Sequence, residues 1–218
     1  MATRQFLDDT ARLWRRRGGN VAIESVGGVE AARRVQDGES FDVVILAADA
    51  IDKLTAESRL VVGSKTDLAR SGVAIAVRRG APRPAIDTDE ALRQAVLSSR
   101  GVGYSTGPSG VALKGIFETW GIVEAIRPRL VQASPGTPVA QLIARGEVTL
   151  GFQQLSELTH EEGVDVIGPM PPGLEIVTTF SGAICTTSAQ VEVARALLEF
   201  LRSPAADEAR LRHGMQPA

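Results

Sequence analysis

The chain has 218 residues, of which 44% are hydrophobic and 23% charged. A length of this order makes one large domain or two small ones, buries about 70% of its extended surface, and needs no metal or disulfide staple. The 24 basic and 26 acidic residues give a net charge of -2, against the basic excess of a general nucleic-acid binder. Cys185 is the single cysteine, which excludes an intrachain disulfide and a cysteine-rich zinc site. Two histidines, His160 and His213, leave little for a histidine-based metal site. With 4% aromatics, a base-stacking or sugar-stacking platform is not expected.

In chain order, helix and strand alternate. Phe6, Leu7, Leu13 and Trp14 share one side of a first amphipathic helix that stops at Gly18-Gly19. This charged opening has no apolar core of a signal peptide, so the expectation is a cytoplasmic chain or one whose leader lies upstream. The short apolar run Val21-Ala22-Ile23 and a Gly27-Gly28 turn precede a helix over 29–37, closed by Gly38. The apolar run at 41–48 suits a strand buried on both faces, and Asp49 suits a cap for a helix to Ala56. Strands are expected at 73–77, 101–104, 148–153, 164–167 and 176–185. Helices are expected from Asp87 or Thr88 to Leu97, from the Gly107-Pro108 turn to Trp120, and from Ala189 to Leu201, with a short last helix after Ser203-Pro204. Alternation of this kind predicts α/β architecture with mostly parallel sheets.

One stretch echoes another. Residues 31–39 align with 139–147, so that Gly38-Glu39 matches Gly146-Glu147 and Gly28 matches Gly136, and an apolar strand follows each. Glycine closes many helices, so the match is either generic or the mark of two similar lobes. In the second case each lobe presents a helix N-terminus, with free N–H groups and partial positive charge, to a shared anion.

Three loops lead into helices with small polar residues: Ser25-Val26-Gly27-Gly28, Tyr104 to Gly110, and Ser134 to Thr137. The second holds the hydroxyls of Tyr104, Ser105, Thr106 and Ser109 with Gly107 and Gly110. Each serine or threonine is open to two readings, a helix cap or an anion contact. Gln153 and Gln154 end an apolar strand, where α/β proteins place ligands, or where a strand end meets water. There is no Gly-x-Ser-x-Gly and no phosphate loop. Glu161, Glu162 and His160 read as surface residues. Arg78, Arg79 and Arg100 are either carboxylate partners or surface charges.

Four segments together resemble the molybdate-type periplasmic substrate-binding proteins of ABC transporters. They are Ser25 to Ile45 with Gly38-Glu39; Tyr104 to Gly121; Pro138 to Glu157 with Gly151-Phe152-Gln153-Gln154; and Ala196 to Ala218 with its Ser-Pro-Ala-Ala and glycine-proline ending. The resemblance covers most of the chain from residue 5. It implies a type II binding-protein fold of two lobes, residues 1–78 with 178–218 and residues 79–177, joined by crossover strands at 73–77 and 176–183. It implies a small anion, a molybdate-like oxyanion or organic acid, in the interlobe cleft. Ser25, Gly27, Gly28, Ser105, Ser109, Gly110, Pro138, Val139, Gln153 and Gln154 are the implied contacts. No cofactor or metal is implied, and the partner is a membrane permease served by a periplasmic monomer. The chain departs from the family in opening in the helix after the family's first strand, without signal peptide, and in carrying Gln154 where the family has tyrosine. A related branch resembles aconitate isomerases, for which Glu24, Tyr104 or Glu157 is the candidate base. A cytoplasmic ligand sensor is the remaining alternative.

Overall fold

The computed structural model describes residues 1–218, which divide into two compact units, Met1–Ser71 with Thr178–Ala218, and Gly72–Val177.

In the first unit the apolar stripe of the opening sequence makes α1 (Arg4–Arg16), which buries Phe6 and Leu7. Residues 20–26 follow in extended form; none of their amides donates to a backbone carbonyl, so Val21-Ala22-Ile23 forms no strand. Then come α2 (Gly28–Gln36), β1 (Val43–Ala47), α3 (Ala48–Ala56) and the start of β2 (Thr66–Arg78). Ala47 stands at the cap of α3 and Asp49 lies in its first turn, where its charge complements the helix dipole without capping it. β1 alternates half-buried and buried positions: Val44 and Leu46 pack with Ile51, Leu54 and Leu60, while Ile45 faces the cluster of Phe6, Leu68 and Phe200.

The second unit takes up the rest of β2, then α4 (Asp89–Ser98), β3 (Val102–Tyr104), α5 (Pro108–Thr119), α6 (Val123–Ile126), a 3-10 turn at Arg127–Arg129, β4 (Leu130–Gln132), α7 (Val139–Arg145), β5 (Leu150–Gln154), α8 (Leu155–Leu158) and β6 (Val164–Pro169). Thr88 caps α4 by accepting the Ala91 amide at 3.1 Å. The strand order is β6-β2-β5-β3-β4, parallel where β3 meets β4 and β5, antiparallel where β2 meets β5 and β6. Along β2, Val73, Ile75 and Val77 pack on the cluster of α4 and α5, and the smaller Ala74 and Ala76 pack on that of α7. Period-two alternation thus covers both faces of the sheet with helices.

The chain returns to the first unit through β7 (Val177–Ile184), antiparallel to β1 from Val43↔Ile184 to Ala47↔Phe180, and lying between β1 and β2. α9 (Val191–Arg202), a 3-10 turn at Pro204–Ala206 and α10 (Asp207–Arg212) complete it. The sheet of the second unit is mixed: β3 runs parallel to β4 and β5, and β2 runs against β5 and β6. In the first unit β7 runs against β1. No helix is long and apolar enough to cross a membrane.

The echo between residues 31–39 and 139–147 holds at the helix stops and fails at the helix starts. Gly38 (φ +82°) and Gly146 (φ +76°) both take the left-handed conformation. In each case the following glutamate amide returns to the carbonyl five residues back, Glu39 to Arg34 at 3.1 Å and Glu147 to Leu142 at 2.9 Å. Gly28, however, is the first residue of α2, whereas Gly136 (φ +80°) forms a turn ahead of α7.

Candidate functional site

Because β3, β4 and β5 are parallel, their carboxyl ends share one rim of the second unit, where open α/β sheets hold ligands. The pairing of Val102 with Leu150 and Gly103 with Gly151 directs Tyr104-Ser105 and Phe152-Gln153 toward the same end of the sheet. Three chain segments therefore meet this rim, 104–110, 133–140 and 153–157. None contains lysine or arginine.

The first segment turns from β3 into α5 within four residues. Gly107 is the cap, Pro108 fills the first helical position, and Ser105 Oγ lies 3.2 Å from Ser109 Oγ. A Cβ on Gly110 would stand 1.9 Å from the Ser105 carbonyl oxygen, so only glycine lets the first turn of α5 close on this loop. The two hydroxyls are thereby held together at the start of a twelve-residue helix.

The second segment ends in α7. Pro138 is its cap, and Val139 is fully buried. The Val139 side chain packs among Ala74, Ala76 and Ile143, so its backbone alone faces the rim. The next amide, Ala140 N–H, donates to Gln153 Oε1 at 2.9 Å. Gln153 thus caps α7 from the neighbouring strand.

The third segment contains the polar groups least expected in a buried place. Gln153, Gln154 and Ser156 are each at most 4% exposed. Ser156 Oγ has no hydrogen-bond partner, an arrangement that is costly when buried. Half-buried Glu157 has its carboxyl pushed above the usual range by burial.

Ser25, Gly27 and Gly28 belong to the first unit. Ser25 is half-buried in the extended segment, Gly27 caps α2, and Gly28 opens it with ordinary room for a Cβ. Ser105, Ser109, Gly110, Pro138, Val139, Gln153 and Gln154 are the seven that the second unit brings to one rim. The arginines lie elsewhere. β2 is antiparallel to β5, and Val73 pairs with Gln154, so Arg78 sits five residues from the rim, about 16 Å along the strand. Arg79 and Arg83 face Asp165 at 4.0 and 3.1 Å. Arg100 precedes β3 at the opposite edge. Ser156 and the capping role of Gln153 have no sequence signal beyond polar residues continuing an apolar strand.

Other features bind their own chain. A hollow of about 430 Å³ in the first unit is lined by Lys65, Thr66, Asp67, Arg202, Pro217 and Ala218. Lys65 there pairs with Asp52, and Asp67 accepts the Ser181 hydroxyl at 2.6 Å. Cys185 is buried, and desolvation with Asp42 nearby pushes its thiol up to about 11, which leaves it unreactive. No three His, Cys, Asp or Glu side chains converge as a metal site would require.

The sequence profile described as bacterial extracellular solute-binding protein matches residues 1–216. An aconitate isomerase from a Pseudomonas species is 37% identical over 198 residues, 90% of this chain and 76% of that protein. The molybdate-binding protein ModA of Azotobacter vinelandii is 26% identical over 183 residues, 80% of this chain and 70% of the relative. In structure, the periplasmic molybdate-binding protein of A. vinelandii superposes with a TM-score of 0.81 at 17% identity, over 98% of this chain and 95% of its own. The architecture is that of the type II periplasmic binding proteins.

Proposed function

The chain belongs to the bacterial extracellular solute-binding protein family, and on that premise we propose that it captures a small anion for an ABC permease, working in the periplasm as a monomer. The observation that carries this reading is the rim of the second unit. Ser105 and Ser109 hydroxyls stand 3.2 Å apart at the start of α5, and the three rim segments hold no cationic side chain. Neutral donors fixed by the backbone bind a desolvated anion without an ion pair, and a helix N-terminus adds its partial positive charge. The ligand class is a carboxylate-rich organic acid or a molybdate-like oxyanion. Ser25, Gly27, Gly28, Pro138, Val139 and Gln154 are proposed contacts; Gln153 is proposed to act through Ala140.

Titration calorimetry with citrate, cis- and trans-aconitate, molybdate and sulfate tests this. One of these anions is expected to bind at micromolar Kd, about -8 kcal/mol. Replacing Ser105 and Ser109 together by alanine is expected to weaken it ten- to hundredfold. Absence of heat with every anion overturns the reading.

A second reading is isomerisation of an unsaturated polycarboxylate on the same rim. It is favoured by the 37% identity to an aconitate isomerase and by half-buried Glu157 on the turn that follows β5. The test is incubation with cis-aconitate and detection of the trans isomer by proton NMR.

A further inference from the structure

Two extended segments of the first unit keep backbone groups that no other part of the chain pairs. In β1 the ladder to β7 takes alternate residues. Cys185 N–H donates to the Asp42 carbonyl at 3.0 Å, whereas Ile184, opposite Val43, turns the other way, donating to Ser64 Oγ and accepting from the Val61 amide. Val43, Ile45 and Ala47 therefore point their N–H groups away from β7, as Val43 and Ile45 point their carbonyls, and none of these groups meets a partner elsewhere in the chain. The second segment is 20–26. Its amides pair with no backbone carbonyl, and its own carbonyls take only Arg15, at Val21, and the Met1 amine, at Val26.

The two segments lie along the same edge. α1 packs Phe6 on the face of β1 that carries Ile45, and α2 packs Val35 on the face that carries Val44 and Leu46. The connection between these helices has to pass round an edge of β1, and β7 holds the other edge. Ile23 packs against the cluster that Ile45 joins, and a Cβ on Gly28 would stand 3.8 Å from the Leu46 side chain, so residues 20–26 run past the open edge. Neighbouring strands stand about 4.8 Å apart and exchange hydrogen bonds. These two segments exchange none, so they are not neighbours in a ladder.

We propose that the open edge of β1, with residues 20–26 beside it, is a strand-acceptor site for an extended, uncharged segment of about five residues from a partner polypeptide. The site is separate from the rim of the second unit and independent of the anion reading. Its chemistry follows from the backbone and the two faces. Unpaired N–H and C=O groups at strand spacing are met by another extended backbone, and a third strand satisfies β1 and 20–26 together. The layers above and below are apolar, Phe6, Ile23 and Ile45 on one side and Val35, Val44 and Leu46 on the other. A strand covered on both faces reads as a continuous apolar run. β1 itself carries no charge and no proline, the features that guard an edge against pairing. Glu24 is the one charged residue of 20–26, and Arg34 neutralises it at 2.9 Å.

Hydrogen exchange by NMR on the full chain tests the edge first. The amides of Val43, Ile45 and Ala47 are expected to exchange about tenfold or more faster than those of Val44 and Leu46. Equal protection overturns the site. The probe is a fluorescent peptide with a Val-Ile-Val-Val-Ala core and a lysine at each end for solubility. It is expected to bind at micromolar Kd in fluorescence anisotropy, to slow the Val43, Ile45 and Ala47 amides to the rate of Val44, and to raise the melting temperature. The same peptide N-methylated at alternate core residues keeps its side chains and loses the donors of one edge, and is expected to bind about tenfold or more weaker. Equal binding of the two peptides overturns strand pairing, and binding of neither overturns the proposal. Val43→Pro removes an outward N–H at the first position of the strand without touching the ladder to β7. It is expected to weaken the peptide about threefold or more, with the melting temperature of the peptide-free chain little changed. Unchanged affinity in that variant overturns the assignment to this edge. Protection of the same amides that grows with protein concentration, with a dimer mass in light scattering, gives the edge to a second copy and overturns the peptide assignment.

Discussion

The Gln153 side-chain oxygen accepts the Ala140 backbone N–H at 2.9 Å, so a strand residue caps the neighbouring helix. α7 has Pro138 at its cap position, which supplies no side-chain acceptor of its own. The function of a serine or aspartate cap has been moved to β5. Fold and site share one residue.

Removing that oxygen costs stability directly. Gln153→Leu leaves a buried N–H without a partner, and loss of a cap is worth about 1 kcal/mol. Urea unfolding is expected to show a loss of that size with an unchanged denaturant slope. Full wild-type stability would mean that another acceptor reaches Ala140.

Gly110 and Gly115 are both in α5 and predict opposite outcomes. A Cβ on Gly110 would meet the Ser105 carbonyl oxygen at 1.9 Å, whereas one on Gly115 meets nothing within 4 Å. Gly110→Ala is expected to destabilise by about 1–3 kcal/mol as the first turn is pushed off the loop, and to weaken anion binding with it. Gly115→Ala is expected to stabilise by about 0.5–1 kcal/mol through helix propensity. Thermal unfolding of the pair distinguishes the two effects; equal shifts would contradict the close approach at Gly110.

The helix stops at Gly38 and Gly146 were readable from the sequence because glycine before a strand is a local signal, satisfied within five residues. The Ser105–Ser109 loop was readable for the same reason. The first half of β2 was not: Thr66 to Gly72 mixes charged, polar and apolar residues, and its strand form comes from neighbours distant in sequence. The three-residue β4 is too short to carry a period. At the site, Val139 opens α7, yet its side chain is core, because a helix start exposes its amides while its apolar face packs inward. Arg78 was open as a carboxylate partner until the antiparallel register of β2 set it at the far edge. Pairing direction, rather than spacing along the chain, decided which polar residues meet.

Arg210 is fully buried and serves as the knot of the C-terminal segment. Its guanidinium donates to the Leu68 carbonyl at 2.7 Å, to the carbonyls of Leu201 and Ser203, and to Asp207, with the Phe6 ring 5.5 Å away. Those carbonyls lie on β2 and at the end of α9, so one side chain ties three elements. Arg210→Met fills similar volume but leaves the acceptors unpaired, and a loss of about 3 kcal/mol is expected in urea unfolding. A loss under 1 kcal/mol would show that water or relaxation replaces the guanidinium.

Asp9 links α1 to α10 and makes stability depend on pH. Its carboxylate is mostly buried, which alone would raise its pKa. Hydrogen bonds from His213 at 2.9 Å and Arg212 at 3.1 Å, with Arg12 at 2.7 Å, outweigh burial and hold it below the usual range. A folded-state pKa below the unfolded value of about 3.9 adds stability above that pH, lost as the pH falls through the folded value. Asp9→Asn is therefore expected to cost about 1 kcal/mol at pH 7 and at pH 5, and progressively less toward pH 3 as the wild-type carboxylate protonates. Urea unfolding of both proteins at the three pH values measures this. A difference that stays constant to pH 3 would place the contribution of Asp9 in packing instead of charge.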